Sequence, residues 1–149
     1  MILESTQSPG RWMALDLGSR SIGIAISDFL HITARPLTTI IRKNVDQDAL
    51  RIAELANSNQ VDKIIIGKPV HLDGSESKVL DSFLPLIQKI RGSAGNAQVV
   101  LAEERLSSKE AESLMAKLRI PISQRRKRRD EIAAALILSW YIEDNSIDR

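Results

Sequence analysis

Apolar positions in this chain come in short runs of two different periods, and the change of period marks out the elements. Arg11–Leu17 and Ile22–Ser27 run or alternate apolar around the polar tetrapeptide Gly18-Ser19-Arg20-Ser21, which predicts the two strands of a hairpin. Phe29 to His31 turns the chain into a third strand, Ile32–Ile40, rich in Thr and Ile. Pro36 puts that strand at a sheet edge, because proline lacks the N–H that an interior strand must donate. The period then becomes helical. "DQDALRIAELANSN" carries Ala49, Ile52, Ala53 and Ala56 on one face and an Asp at its start. "KIIIGKP" is a continuous apolar run closed by Gly and Pro, as expected of a parallel strand buried on both faces. "SKVLDSFLPLIQKIRG" sets Leu80, Phe83, Leu84 and Ile87 on one helical face and stops at Gly92, with Pro85 predicting a kink or a late start. "AQVVLAEE" reads as another short buried strand. "SSKEAESLMAKLRI" opens with Ser107 and Glu110 at capping-box spacing, followed by Ala111, Leu114 and Leu118. A last helix spans Asp130 to about Asp144.

This order determines an architecture. The first three strands pair antiparallel, and each later strand returns through a helix and so lies parallel, by a right-handed crossover. The expected fold is α/β: a five-stranded mixed sheet, three antiparallel strands then two parallel ones, with helices on both faces. Residues 1–10 are expected to be a disordered lead, 11–144 a single domain and 145–149 a tail. The longest apolar run, Ile132–Ile142, is too short to span a bilayer and reads as a buried core helix. Trp12 and Trp140 belong to the core on this reading, since aromatics make up only 3% of the chain, too few for a base-stacking surface.

Composition narrows the chemistry. The 149 residues include no cysteine, which removes disulfides, thiolate metal sites and a cysteine nucleophile, and His31 and His71 stand isolated, which argues against zinc. The net charge of +2 says little, but Arg125, Arg126, Lys127, Arg128 and Arg129 form an unbroken basic run. Such a run is either a solvated loop or an electrostatic footprint for a polyphosphate.

The acidic residues decide between these. In open α/β sheets the site lies beyond the carboxyl ends of the parallel strands. Asp16 lies near the end of the first strand, Glu103 and Glu104 end the last strand, and Asp130 starts a helix that could reach the same edge. A carboxylate in an apolar setting is costly unless paired or bound to metal, and several together repel one another. A divalent cation removes both penalties, and oxygen ligands suit Mg²⁺ or Mn²⁺. Cations just before a helix N-terminus oppose its dipole, so the basic run beside Asp130 is not tuned for stability alone. It makes sense if both face a nucleic-acid backbone. Plainer roles exist for each acid: Asp16 capping the Gly18 turn, Glu103 as a solvated partner of a nearby Arg, Glu104 paired with Arg105, and Asp130 as a helix N-cap. Gly67 on this reading needs only a tight strand exit, and His71 and Asp73 belong to a polar loop.

"ALDLGSRSIGIAISD", "ARPLTTI", "IIIGKPVHLDGSES", "LAEERLSSKEAE" and "RRDEIAAALIL" occur in that order and cover nearly the whole chain. Together they resemble the YqgF/RuvX family, Holliday-junction-resolvase-like proteins of the RNase H fold that are also described as pre-16S rRNA nucleases. The resemblance implies that Asp16, Glu104 and Asp130 are the catalytic, metal-holding carboxylates. It implies a cytoplasmic, Mg²⁺- or Mn²⁺-dependent phosphodiesterase that processes the 5′ end of pre-16S rRNA. The expected nucleic-acid-binding residues are Arg105, the basic run Arg125, Arg126, Lys127, Arg128 and Arg129, which is heavier than the family's, and Arg20, whose alternative is simple exposure in the turn; the protein is expected to work off the membrane as a monomer or homodimer. The chain departs from the family at Glu103 (usually Asp), Lys68 (usually Leu) and His71-Leu72 (usually Asn-Met), which touches substrate preference more than chemistry. The competing functions are a Holliday-junction resolvase, a non-catalytic nucleic-acid-binding module and a sugar-kinase or actin-like ATPase. The last rests on "DLGSRSIG" alone and needs a second lobe.

Overall fold

The computed structural model describes residues 9–68, 76–103 and 108–145. In chain order the elements are β1 (Arg11–Leu17), β2 (Ser21–Ser27), β3 (Ala34–Ile41), α1 (Val45–Ser58), β4 (Val61–Lys68), α2 (Glu76–Ser93), β5 (Gln98–Glu103), α3 (Ser108–Lys117), α4 (Ile122–Arg125) and α5 (Arg129–Asn145). The strands form one sheet in the order β3-β2-β1-β4-β5. β1 with β2 and β2 with β3 are antiparallel, while β1 with β4 and β4 with β5 are parallel. The mixed sheet expected from the order of elements is therefore the one observed, and β3, with Pro36, is an edge strand.

Alternation along the strands divides the core into two layers. Met13 and Leu15 of β1, Ile22 and Ile24 of β2, Ile40 of β3, and Ile64 and Ile66 of β4 point to one face. There they pack on Ala49, Ile52 and Ala56 of α1 and on Phe83, Leu86, Ile87 and Ile90 of α2. Trp12, Ala14, Ala25 and Ile65 point to the other, against Ala134, Ala135, Ile137, Leu138 and Ile142 of α5. Each Ile taken fully from water contributes on the order of 1.5–3 kcal/mol, so the two layers carry most of the folding drive. Trp12 and Trp140 are both buried. Trp12 also stacks on the His31 ring at 4.0 Å, with Nζ of Lys63 4.6 Å from its ring centre. Trp140 donates its Nε1–H to Glu110, so Glu110 secures α3 to α5. The capping box expected for Glu110 involves Ser107, which lies outside the described residues.

Helix α5 is approached closely on the sheet side because two strands offer no side chain there. A β-carbon on Gly67 would meet Ile137 Cδ1 at 2.4 Å, and one on Gly23 would meet the Asp130 carbonyl oxygen at 1.9 Å. Gly67 thus serves helix packing, beyond the strand exit expected from its sequence setting. Helix α3 ends in a Schellman motif without glycine. Ile120 N–H donates to the Met115 carbonyl, Arg119 N–H donates to Ala116, and Arg119 takes the left-handed conformation with φ 56°.

Several local expectations change. β5 is a half-exposed edge strand, not a buried one, because the sheet ends there. Leu84 is exposed, and Leu86 and Ile90 take the buried positions instead, with Pro85 accommodated inside α2. The third strand begins at Ala34, not Ile32, because Asp28 folds the preceding segment into a turn. Its Oδ1 accepts the N–H groups of Ile32 at 2.7 Å and Thr33 at 2.9 Å. Of the lead expected over residues 1–10, Gly10 donates its N–H to Asp62 Oδ2 at 2.7 Å, and residues 1–8 lie outside the described residues. No helix among the described residues is long and apolar enough to cross a membrane.

Candidate functional site

Asp16 shares its parity on β1 with Trp12 and Ala14, which places it on the face covered by α5. Its antiparallel partner in the ladder is Gly23. Directly opposed residues hold their β-carbons about 4.5–5.5 Å apart, and the space over Gly23 is filled by the backbone of Asp130. The first turn of α5 is thereby set down beside Asp16. Asp130 accepts the Ser21 hydroxyl at Oδ2, 2.5 Å away, so a residue of the hairpin holds the carboxylate of a helix more than a hundred positions later in the chain.

Asp16 and Asp130 line one cleft of about 490 Å³, together with Arg125, Arg126 and Arg129, and with Met115, Ile132, Ala133 and Leu136. Both carboxylates are half-buried. Oxygen donors at a helix N-terminus beside guanidinium groups can hold a hard cation and attract a phosphate on the same surface.

Glu103 goes elsewhere. It shares its parity with Val99, which packs on the layer of α1 and α2, whereas Val100 and Ala102 face α5. Its ladder partner is Lys68, and it is exposed. Glu104, Arg105, His71 and Asp73 lie outside the described residues. Among the described residues no three His, Cys, Asp or Glu side chains gather into a metal-holding group; the two aspartates of the cleft are what these residues supply.

The basic run does not act as a block. Its first residue ends the short helix α4, so the run is not simply a loop. Arg125 donates its Nε–H to the Ile120 carbonyl at 3.1 Å, and Arg128 donates to Glu131 Oε1 at 2.6 Å. Arg126, Lys127 and Arg129 are exposed, as is Arg20 in the hairpin turn.

Glu131 was not apparent from the sequence. It is only 8% exposed and holds both Arg128 and the Thr39 hydroxyl, 3.1 Å away, pinning the start of α5 to β3. Asp48, 3% exposed, plays a similar part for α1 just beyond the end of β3, accepting from Arg42 Nε at 3.1 Å and from the Lys43 N–H at 3.0 Å. Both are acids in the first turn of a helix, a position that reads as solvated until the sheet edge is in place. Ser21, expected only as part of the turn, is the first residue of β2, and neither it nor Gly23 carries a site signature in the sequence. Their only signal is a serine and a glycine alternating on the face of a strand otherwise rich in Ile.

Comparison with known proteins gives this geometry a context. The family described as "RuvX: Holliday junction resolvase" matches residues 10–144. A protein of Syntrophus aciditrophicus named "Putative pre-16S rRNA nuclease" is 37% identical over 133 residues, 89% of this chain and 88% of its own length. One of the same name from Fusobacterium nucleatum is 34% identical over 134 residues, 89% of this chain and 96% of its own. Among solved structures, Thermus thermophilus RuvC in complex with a Holliday junction superposes with a TM-score of 0.63 at 15% identity, covering 92% of this chain and 97% of that one. The fowlpox virus resolvase bound to junction DNA superposes with a TM-score of 0.54 at 16% identity, covering 90% and 97%. At these identities the structural matches establish a shared fold, the RNase H-like one.

Proposed function

The chain belongs to the RuvX family, and from that premise we propose that it is a divalent-metal-dependent nuclease that processes the 5′ end of pre-16S rRNA in the cytoplasm. The observation that carries the proposal is the meeting of Asp16 and Asp130 in one cleft rimmed by Arg125, Arg126 and Arg129.

The donor set fits Mg²⁺ or Mn²⁺. Mg²⁺ is usually held by one or two carboxylates plus waters and substrate phosphate oxygens, and a cleft with two aspartates, in a chain without thiolates, offers that set. Asp16 and Asp130 would hold the ion, with Glu104 as the third carboxylate that the family pattern supplies. When bound, such an ion lowers the pKa of a water and offsets charge on a phosphodiester leaving oxygen. The chain's own contributions are positional. Ser21 fixes the rotamer of Asp130. Gly23 allows α5 to bring that carboxylate to β1. Arg126 and Arg129, exposed at the rim, draw the backbone phosphates in, and the exposed Lys127 between them in sequence adds to the field. Arg125 and Arg128 stiffen the segment that carries them.

Pre-16S rRNA is preferred over a four-way DNA junction because relatives bearing the RNA name match at over 30% identity along most of their length, whereas the junction-bound structures share the fold at about half that identity. RNA trimming requires one active site per cut and so suits a monomer as well as a homodimer. The test is cleavage of a pre-16S 5′-leader RNA and of a four-way DNA junction by purified protein with Mn²⁺. The expected result is RNA cleavage that Asp16→Asn abolishes without altering the circular dichroism melt. Equal cleavage by wild type and Asp16→Asn would assign the activity to a contaminant, and cleavage of the junction alone would replace the RNA reading by the resolvase one.

A further inference from the structure

The cleft is larger, and more apolar on one side, than the chemistry just described requires. Its volume of about 490 Å³ falls inside the roughly 300–1,000 Å³ typical of pockets that enclose an organic ligand. A cation with six waters, at roughly 30 Å³ each, fills less than about 200 Å³. Among the described residues, the wall beyond the carboxylates is formed by Met115 from α3 and Ile132, Ala133 and Leu136 from α5. Neither a hydrated ion nor a phosphate gains from such a wall, since polar groups lose hydration there without replacement.

A nucleobase does gain from it. Its faces are apolar, and the thioether of Met115 is a favourable neighbour for an aromatic ring. Within a duplex those faces are covered by stacking, so a base reaches a pocket wall only after leaving the stack. We propose that the cleft receives one unstacked nucleobase from beside the scissile phosphate. The phosphate lies toward Asp16, Asp130 and Arg129, and the base lies against Met115, Ala133 and Leu136. The substrate class follows: nucleic acid with an unpaired residue at the cleavage step, in preference to continuous duplex. This inference rests on the nuclease reading above and deepens it.

Ala133 sets the room available. Its neighbours Ala134 and Ala135 are fully buried in the second core layer, whereas Ala133 is half-buried and lines the cleft. Alanine there leaves the wall open, and a large side chain would occupy the space assigned to the base.

The experiment compares three RNA substrates in single-turnover cleavage with Mn²⁺: a fully paired duplex, the same duplex with a one-nucleotide bulge at the scissile step, and that bulge made abasic. The bulge is expected to be cut faster than the duplex by at least about tenfold, the low end of what an apolar pocket contact contributes, and the abasic bulge is expected to lose that advantage. Flexibility alone would leave the abasic bulge as fast as the intact one, and that result overturns the inference. So does equal cleavage of duplex and bulge. Failure to cut any of the three overturns the nuclease reading and this inference with it. Ala133→Phe, checked for folding by its thermal melt, is expected to erase the preference for the bulge. The substrate comparison stands without that variant should it fail to fold.

Discussion

The main-chain carbonyl of Asp130 occupies the position where a β-carbon on Gly23 would stand, 1.9 Å from the ideal site of that atom. Gly23 is the ladder partner of Asp16, so one missing side chain brings two distant aspartates to the same cleft. The contact is with backbone, which cannot swing aside as a long side chain can. Gly23→Ala is therefore expected to lift the start of α5, destabilising the protein by about 1–3 kcal/mol as overpacked sites do. Nuclease activity should fall by more than the folded fraction does. Urea unfolding read beside cleavage rate at a temperature where the variant is folded checks both. An Ala variant with wild-type activity would show that the helix position does not matter to the site.

Ser21 donates to Asp130 at 2.5 Å. Groups that orient a metal ligand typically contribute 10–100-fold in metal affinity or activity. Ser21→Ala is expected to weaken Mn²⁺ binding by about that factor, with Ser21→Thr restoring most of it because the hydroxyl returns. Calorimetric Mn²⁺ titration of the three proteins distinguishes this positioning role from a purely structural one, which would leave the affinity where it was.

The basic run should divide into two classes on substitution. Lys127 and Arg126 are exposed, and Ala at either is expected to leave the melting temperature unchanged. The slope of log affinity for RNA against log salt should fall by about one per residue. Arg128 pairs with the largely buried Glu131. Arg128→Ala leaves that carboxylate short of a donor and is expected to reduce stability by about 1–3 kcal/mol. Melting curves and salt titrations on the same three variants separate these outcomes.

Asp28 contributes to the acid limb of stability. Burial pushes its carboxyl up, but the backbone N–H groups of Thr33 and Ile32, with smaller contributions from its own N–H and that of Leu30, together outweigh this, and the net result lies below the ordinary value of 3.8. The charged form is the one the fold favours. Its contribution is thus complete above pH 3.8 and is lost as pH falls through the lower folded value. Asp28→Asn keeps an acceptor oxygen for the turn but does not titrate, so its urea midpoint should fall less steeply than that of the wild type between about pH 4 and pH 2.

Much of this was legible in the chain itself. Alternation and apolar runs identified the five strands, because a sheet covered on both faces demands them, and the order of strands and helices determined which pair parallel. Asp16 and Asp130 stood out because a carboxylate among apolar residues, or beside a block of arginines, needs a reason. Other features depended on what neighbours became adjacent. Leu84 and Leu86 are interchangeable to a helical count, and only the sheet's position decided which was buried. β5 read as buried because its composition does not record that the sheet ends with it.

What the sequence determined by itself was the two periodicities, the order of elements and the identity of the acidic and basic groups, since these are properties of the chain read locally. What only the tertiary structure decided was which of those groups meet. Glu131 and Asp48 became buried anchors, Arg128 and Arg125 turned inward, and Gly23 set the depth of α5. The physical reason is that side-chain parity is local, whereas the approach of a helix to a sheet depends on atoms from both, separated here by most of the chain.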